Sequence, residues 1–120
     1  MNMLVNLDVD DLDKAIAFYS QAFGLTVGRR FGAFGVEMLG SSASNPQPRS
    51  YTRHWTPVHL DFVVDDVDSA VRAALAAGAQ LEKPVATQKW GKLAPMADPF
   101  GHGFCFLQFL ARGYDEICDR

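Results

Sequence analysis

Apolar and polar positions follow one order along this chain, and they follow it twice. Leu7 and Val9 stand two apart, as do Phe62 and Val64, so each pair shares one face of a strand. Each pair leads into an Asp-Asp dipeptide (Asp10-Asp11 and Asp65-Asp66), an apolar residue, another aspartate and an alanine-rich run. Carboxylates at those places suit a helix N-terminus, where they accept orphan N–H bonds and face the positive end of the dipole. Leu12, Ala15, Ile16 and Tyr19 then recur at helical spacing, as do Val67, Ala70, Val71, Ala74 and Leu75. Gly24 and Gly78 sit where a left-handed residue would close each helix.

The stretches after the helices predict strands. Leu25–Phe31 and Phe34–Leu39 read as two strands turning at Gly32. Residues 40–53 shift to Ser, Asn, Pro, Gln and Arg, with Pro46 and Pro48 opposing a central strand, and read as a linker. Short strands are expected near Gln80–Glu82, Thr87–Trp90 and Leu93–Ala97. Asp98-Pro99-Phe100-Gly101 then makes a turn before a last strand from Gly103 to Phe109. The expected architecture is α+β, with two strand–helix–strands modules in a single domain spanning residues 1–120. Module one covers 1–39, the linker 40–53, module two 54–110 and a polar tail 111–120.

These segments resemble the vicinal oxygen chelate superfamily, which includes glyoxalase I, extradiol dioxygenases and bleomycin-resistance proteins. The carrying residues are Val9 to Tyr19 with Phe23-Gly24-Leu25, then His59 to Ala70, and the closing Asp98-Pro99-Phe100-Gly101-His102. The resemblance implies two βαβββ-like modules whose curved sheets enclose a small-molecule cavity, module one being short of a strand, and a homodimer. It also implies where a metal would sit, on the first and last strand of each module. Module one offers Leu4 at its first-strand position, which cannot coordinate, with Glu37 as the nearest carboxylate. Module two offers His59 and, where the family usually has glutamate, Cys105. The set is incomplete, so the expectation is a chain that works without a cofactor. A divalent metal on His59 and Glu37 is the alternative.

Strand parity points to the same surface. If Leu7, Val9, Phe62 and Val64 face the helices, then Asn6, Asp8, Glu37, His59, Asp61 and Cys105 gather on the opposite face. A few convergent polar groups in an apolar hollow suit a small-molecule site. Trp55 and Trp90 are candidate walls for a flat ligand. The candidate ligand-binding set is therefore His59, Glu37, Asp61, Asn6, Cys105, Trp90 and Trp55. The aspartate run at 8–13 is helix-start chemistry, since it lacks the glycine and glutamate of a calcium loop.

Composition narrows the function classes. A net charge of −3, with Arg29-Arg30 as the one adjacent basic pair, opposes nucleic-acid binding. No apolar run approaches the ~20 residues of a membrane span, and the start of the chain lacks a signal pattern, so a cytoplasmic location is expected. Two cysteines make no framework and are expected to be reduced. There is no Gly-x-Ser-x-Gly, phosphate loop or Cys-x-x-Cys. Three functions follow for comparison. The first is binding of a small planar or hydrophobic molecule without metal, of the resistance or sequestration type. The second is a metal-dependent lyase, isomerase or dioxygenase. The third is metal-free acid–base catalysis by His59 with Asp61 or Glu37.

Overall fold

The computed structural model describes residues 7–28, 35–36, 41–42, 50–56 and 59–118. Contacts divide the chain into two units, Met1–Thr52 and Arg53–Arg120. Each has the strand–helix–strands order that the repeat predicts.

In the first unit, β1 (Leu7–Asp8) leads into α1 (Leu12–Phe23). The Asp11 carboxylate caps this helix by accepting from the Lys14 N–H at 3.0 Å. Gly24 ends it at φ 66°, a conformation that costs other residues steric strain. Leu12, Ala15, Phe18 and Tyr19 are buried, which is the stripe the spacing predicts. Two further strands, β2 (Gly35–Val36) and β3 (Ser41–Ser42), complete a sheet of order β1-β3-β2, with β1 parallel to β3. Two corrections follow. Of the expected strand Leu25–Phe31, residues 25–28 are exposed and form no strand, their apolar Leu25 and Val27 facing solvent, and residues 29–31 lie outside the described residues. Ser41 and Ser42, expected at the start of a linker, are strand residues because β1 supplies a parallel partner that outweighs their weak strand preference.

The second unit repeats that order at greater length. It runs through β4 (Leu60–Val63), α2 (Val67–Ala77), β5 (Gln80–Leu81), β6 (Ala86–Thr87), β7 (Gly91–Ala97) and β8 (Gly103–Phe109). The sheet order is β4-β8-β7-β5, with β6 also on β7, and β4 lies parallel to β8 as β1 does to β3. Asp66 caps α2 by accepting from the N–H groups of Asp68 and Ser69, and Gly78 closes it at φ 111°. The Val67 N–H also donates to the Gln108 side chain at 2.9 Å, tying the start of the helix to β8. On the helix-facing side, Phe62 packs edge-on against Phe104 and tilted against Phe106. Phe106, Met96, Phe100 and Val67 are fully buried, and each contributes about 1.5–3 kcal/mol relative to exposure.

The closing turn is built as its residues suggest. The buried Asp98 carboxylate accepts from the Phe100 and His102 N–H groups at 2.8 and 2.9 Å. Gly101 adopts φ 89°. The expected strand Thr87–Trp90 is only partly formed. Gln88 and Gly91 exchange backbone hydrogen bonds, so Lys89 and Trp90 occupy a tight turn feeding β7. After Leu110, Gly113–Glu116 form a short 3-10 helix, on which Tyr114 meets Trp90 at 5.0 Å.

Candidate functional site

The exposed side of β4 and its neighbour β8 brings three of the expected residues together. His59 immediately precedes β4, Asp61 lies within it, and both point away from the helix-facing Leu60 and Phe62. Asp61 stands opposite Cys105 in the parallel register, which brings carboxylate and thiol side by side. The result is a histidine nitrogen, a carboxylate oxygen and a sulfur all within 4.8 Å of one another. The His59 Nε2 to Asp61 Oδ1 distance is 3.4 Å, with side chains 45% and 40% exposed, so this pair is open to an incoming molecule.

Cys105 differs in kind. It is 7% exposed. Burial pushes its thiol up to about 11, and the charge and hydrogen bonding of Asp61 add to that. A thiol held in that range is neutral at physiological pH, so by itself it is a poor nucleophile. It is available to Asp61 as a weak hydrogen-bond donor.

Trp55 stands beside this cluster with its indole edge-on to the His59 ring at 5.3 Å. It is 48% exposed. The Arg53 guanidinium carbon lies 4.4 Å from the indole centroid, and Arg53 is itself paired with both oxygens of Glu82. The two side chains press onto the backbone at Gly103. A Cβ there would sit 2.6 Å from an Arg53 nitrogen and 2.8 Å from two indole carbons. The segment before Trp55 is pinned as well. His54 forms an isolated parallel bridge with His102, and its N–H donates to the Gly101 carbonyl at 3.0 Å.

Not every expected residue joins this group. Trp90 lies at the other end of β8, tilted against Phe109 and Tyr114. Gly91 pairs with Phe109 and Pro95 with Cys105, so about 13 Å of strand separates the Trp90 end from the thiol. Asn6 and Glu37 lie outside the described residues, and Asp8 is described by its backbone alone. Arg53 and Glu82 were not singled out from sequence. Arg53 stands in a polar stretch that reads as linker, and only its place two residues before a tryptophan hints at a role.

The histidine, carboxylate and thiol fit a borderline-soft ion such as zinc better than an ion that prefers an all-oxygen shell. His59, Asp61 and Cys105 would be its ligands. An ion there would act as a Lewis acid and would draw the thiol into its deprotonated form.

With this geometry in view, the family can be decided. A model of the glyoxalase-like domain matches residues 4–107. The chain belongs to that family. Among curated proteins, CFP32 of Mycobacterium tuberculosis, which carries a provisional glyoxylase name, is 32% identical over 109 residues. That match takes in 82% of this chain and 40% of CFP32, so the chain spans well under half the length of this relative. A glyoxalase/bleomycin resistance protein/dioxygenase family enzyme from Burkholderia phytofirmans superposes with TM-score 0.66 at 25% identity, covering 88% of this chain and 96% of that one. The fosfomycin resistance protein FosX from Listeria monocytogenes shares the fold, with TM-score 0.67 at 20% identity, over 92% and 95% of the two chains. The vicinal oxygen chelate resemblance and the α+β class therefore stand. No described helix is long and apolar enough to cross a membrane.

Proposed function

We propose that this glyoxalase-like domain binds a small flat organic molecule at the open face formed by His59, Asp61 and Trp55. The observation that carries this reading is Trp55, a large apolar ring left half-exposed beside an open His–Asp pair. An indole supplies broad contact area at little entropic cost, and the polar pair supplies orientation. Asp61 gives the face a negative charge that favours ligands bearing a hydrogen-bond donor or a cationic nitrogen. The neutral state of Cys105 favours binding over covalent chemistry. The test is fluorescence titration of the protein with flat aromatic compounds, neutral and cationic, repeated on Trp55→Ala and His59→Ala. Saturable binding lost in both variants supports the reading. Equal binding by wild type and both variants removes it.

The second reading is a metal-dependent lyase, isomerase or dioxygenase, and the single observation that favours it is the three-donor cluster. Metal analysis of protein purified without chelator or affinity metal separates the two. Near-stoichiometric zinc that disappears in His59→Ala and Asp61→Asn moves the proposal to metal chemistry.

A further inference from the structure

We infer that Arg53, clamped by Glu82, is a positioning residue that sets the orientation of Trp55 at the ligand face. The inference rests on the reading of Trp55 as a wall of that face. Three observations lead to it, none of them from the His–Asp–Cys cluster itself.

The first is the geometry of the clamp. Arg53 donates to both carboxylate oxygens of Glu82, and its remaining terminal nitrogen donates to the carbonyl of His54. A planar guanidinium used on two edges has little rotational freedom left. The Arg53 side chain is 29% exposed and that of Glu82 26%, so solvent competes only in part for these bonds. The second is what the guanidinium touches, since it lies 4.4 Å from the indole centroid of Trp55, within cation–π range. The third is the floor beneath both groups. Gly103 leaves room for the arginine and the indole against the strand backbone, and any side chain there would collide with both.

Glu82 follows β5 and lies 29 residues beyond Arg53 in sequence. Its backbone N–H donates to the Pro95 carbonyl at 2.9 Å, so the carboxylate stands on the sheet. Orientation thus passes from the sheet through Glu82 and Arg53 to Trp55, and from Trp55 to the neighbouring His59 ring. The mutual effect of the pair agrees: the arginine holds the Glu82 carboxyl below its usual range, and the carboxylate raises Arg53.

The test uses protein carrying Trp90→Phe, which leaves Trp55 as its single tryptophan. Time-resolved anisotropy of Trp55 is measured in that protein and with Glu82→Gln or Arg53→Lys added, alongside thermal melts. The clamped indole is expected to show tumbling of the whole protein alone. Each variant is expected to add a sub-nanosecond side-chain component of about a third of the decay while the fold persists. Binding of acridine orange, a flat aromatic cation, is then expected to weaken about fivefold in both variants. Two variants are used because Arg53→Lys can unfold the protein, whereas Glu82→Gln keeps the shape of the side chain. If Trp55 stays fixed in the folded variants, the inference is overturned. It is also overturned if Trp55 is freed while acridine orange binds wild type and variants alike. If wild type binds no flat compound at all, the ligand reading fails, and the anisotropy alone decides whether Arg53 positions Trp55.

Discussion

The two ends of β8 each carry a tryptophan, and they use it differently. At the Gly103 end, Trp55 is half-exposed, stacked with a clamped arginine and edge-on to a histidine in an open polar cluster. At the Phe109 end, Trp90 meets Phe109 and Tyr114, and its carbonyl accepts from the Leu110 N–H at 2.9 Å. One ring has an arginine and a histidine beside an open carboxylate for neighbours, the other has aromatic rings. The difference teaches that an aromatic residue becomes a candidate wall through its polar neighbours and the way it is held, and not through its size.

The largest effect that could break this comparison comes from the two glycines at these ends. A Cβ on Gly91 would collide with the Gln108 carbonyl oxygen and sit 3.2 Å from the Phe109 Cα, both of them backbone atoms that cannot turn aside. Gly91→Ala is expected to lose about 3 kcal/mol in denaturant unfolding. The three atoms nearest a Cβ on Gly103 all belong to the Arg53 and Trp55 side chains, so relief there displaces the clamp and the indole rather than the strand backbone. Gly103→Ala is expected to cost less than about 1 kcal/mol while making Trp55 easier to quench with acrylamide. Equal losses of stability at both glycines would erase the distinction between a packing end and a recognition end.

The tryptophans themselves come next in size. Trp90→Ala is expected to cost about 2 kcal/mol through lost ring contacts, with binding at the other end unchanged. Trp55→Ala is expected to cost less than about 1 kcal/mol and to lose binding of flat compounds. Unfolding curves and titrations on the same two proteins check both. A Trp90 variant that unfolds normally yet loses binding would reverse the assignment.

Much of the fold was legible because it is written locally. The caps at Asp11 and Asp66 and the closing Gly24 and Gly78 depend on residues within one helical turn, and each stands where the pattern puts it. The Asp98 turn is local in the same way. What could not be read depends on distant partners. Ser41 and Ser42 have little preference for a strand and form one because β1 lies alongside. Trp90 has strand character but falls in a turn, because the hydrogen bonds between Gln88 and Gly91 close there. In the candidate site, parity placed His59, Asp61 and Cys105 on one face, and what it could not give is the register that sets Asp61 opposite Cys105. The Arg53–Glu82 clamp was hidden, since nothing in a polar run announces a carboxylate 29 residues away. For the same reason Trp55 and Trp90 looked alike until their neighbours were known.

The two cysteines carry the finest version of the comparison, between a buried group and an exposed one. Both are free thiols among the described residues, Cys105 buried in β8 and Cys118 exposed. Burial and then Asp61 raise the Cys105 thiol from an ordinary 9.0 to about 11. A thiol reagent at pH 7.5 is therefore expected to modify Cys118 readily and Cys105 only after unfolding. The same shift gives a sign for stability. The folded chain keeps the Cys105 proton where the unfolded chain has already lost it. The stabilisation is then complete below pH 9 and fades as pH rises toward about 11. Cys105→Ala removes that titration, so its unfolding free energy is expected to fall less steeply between those two pH values than wild type. Asp61→Asn, which removes the second contribution to the shift, is expected to fall between the two. Identical slopes in wild type and Asp61→Asn, with Cys105→Ala still shallower, would mean that Asp61 and Cys105 do not act on one another, and the cluster beside Trp55 would reduce to the His59–Asp61 pair.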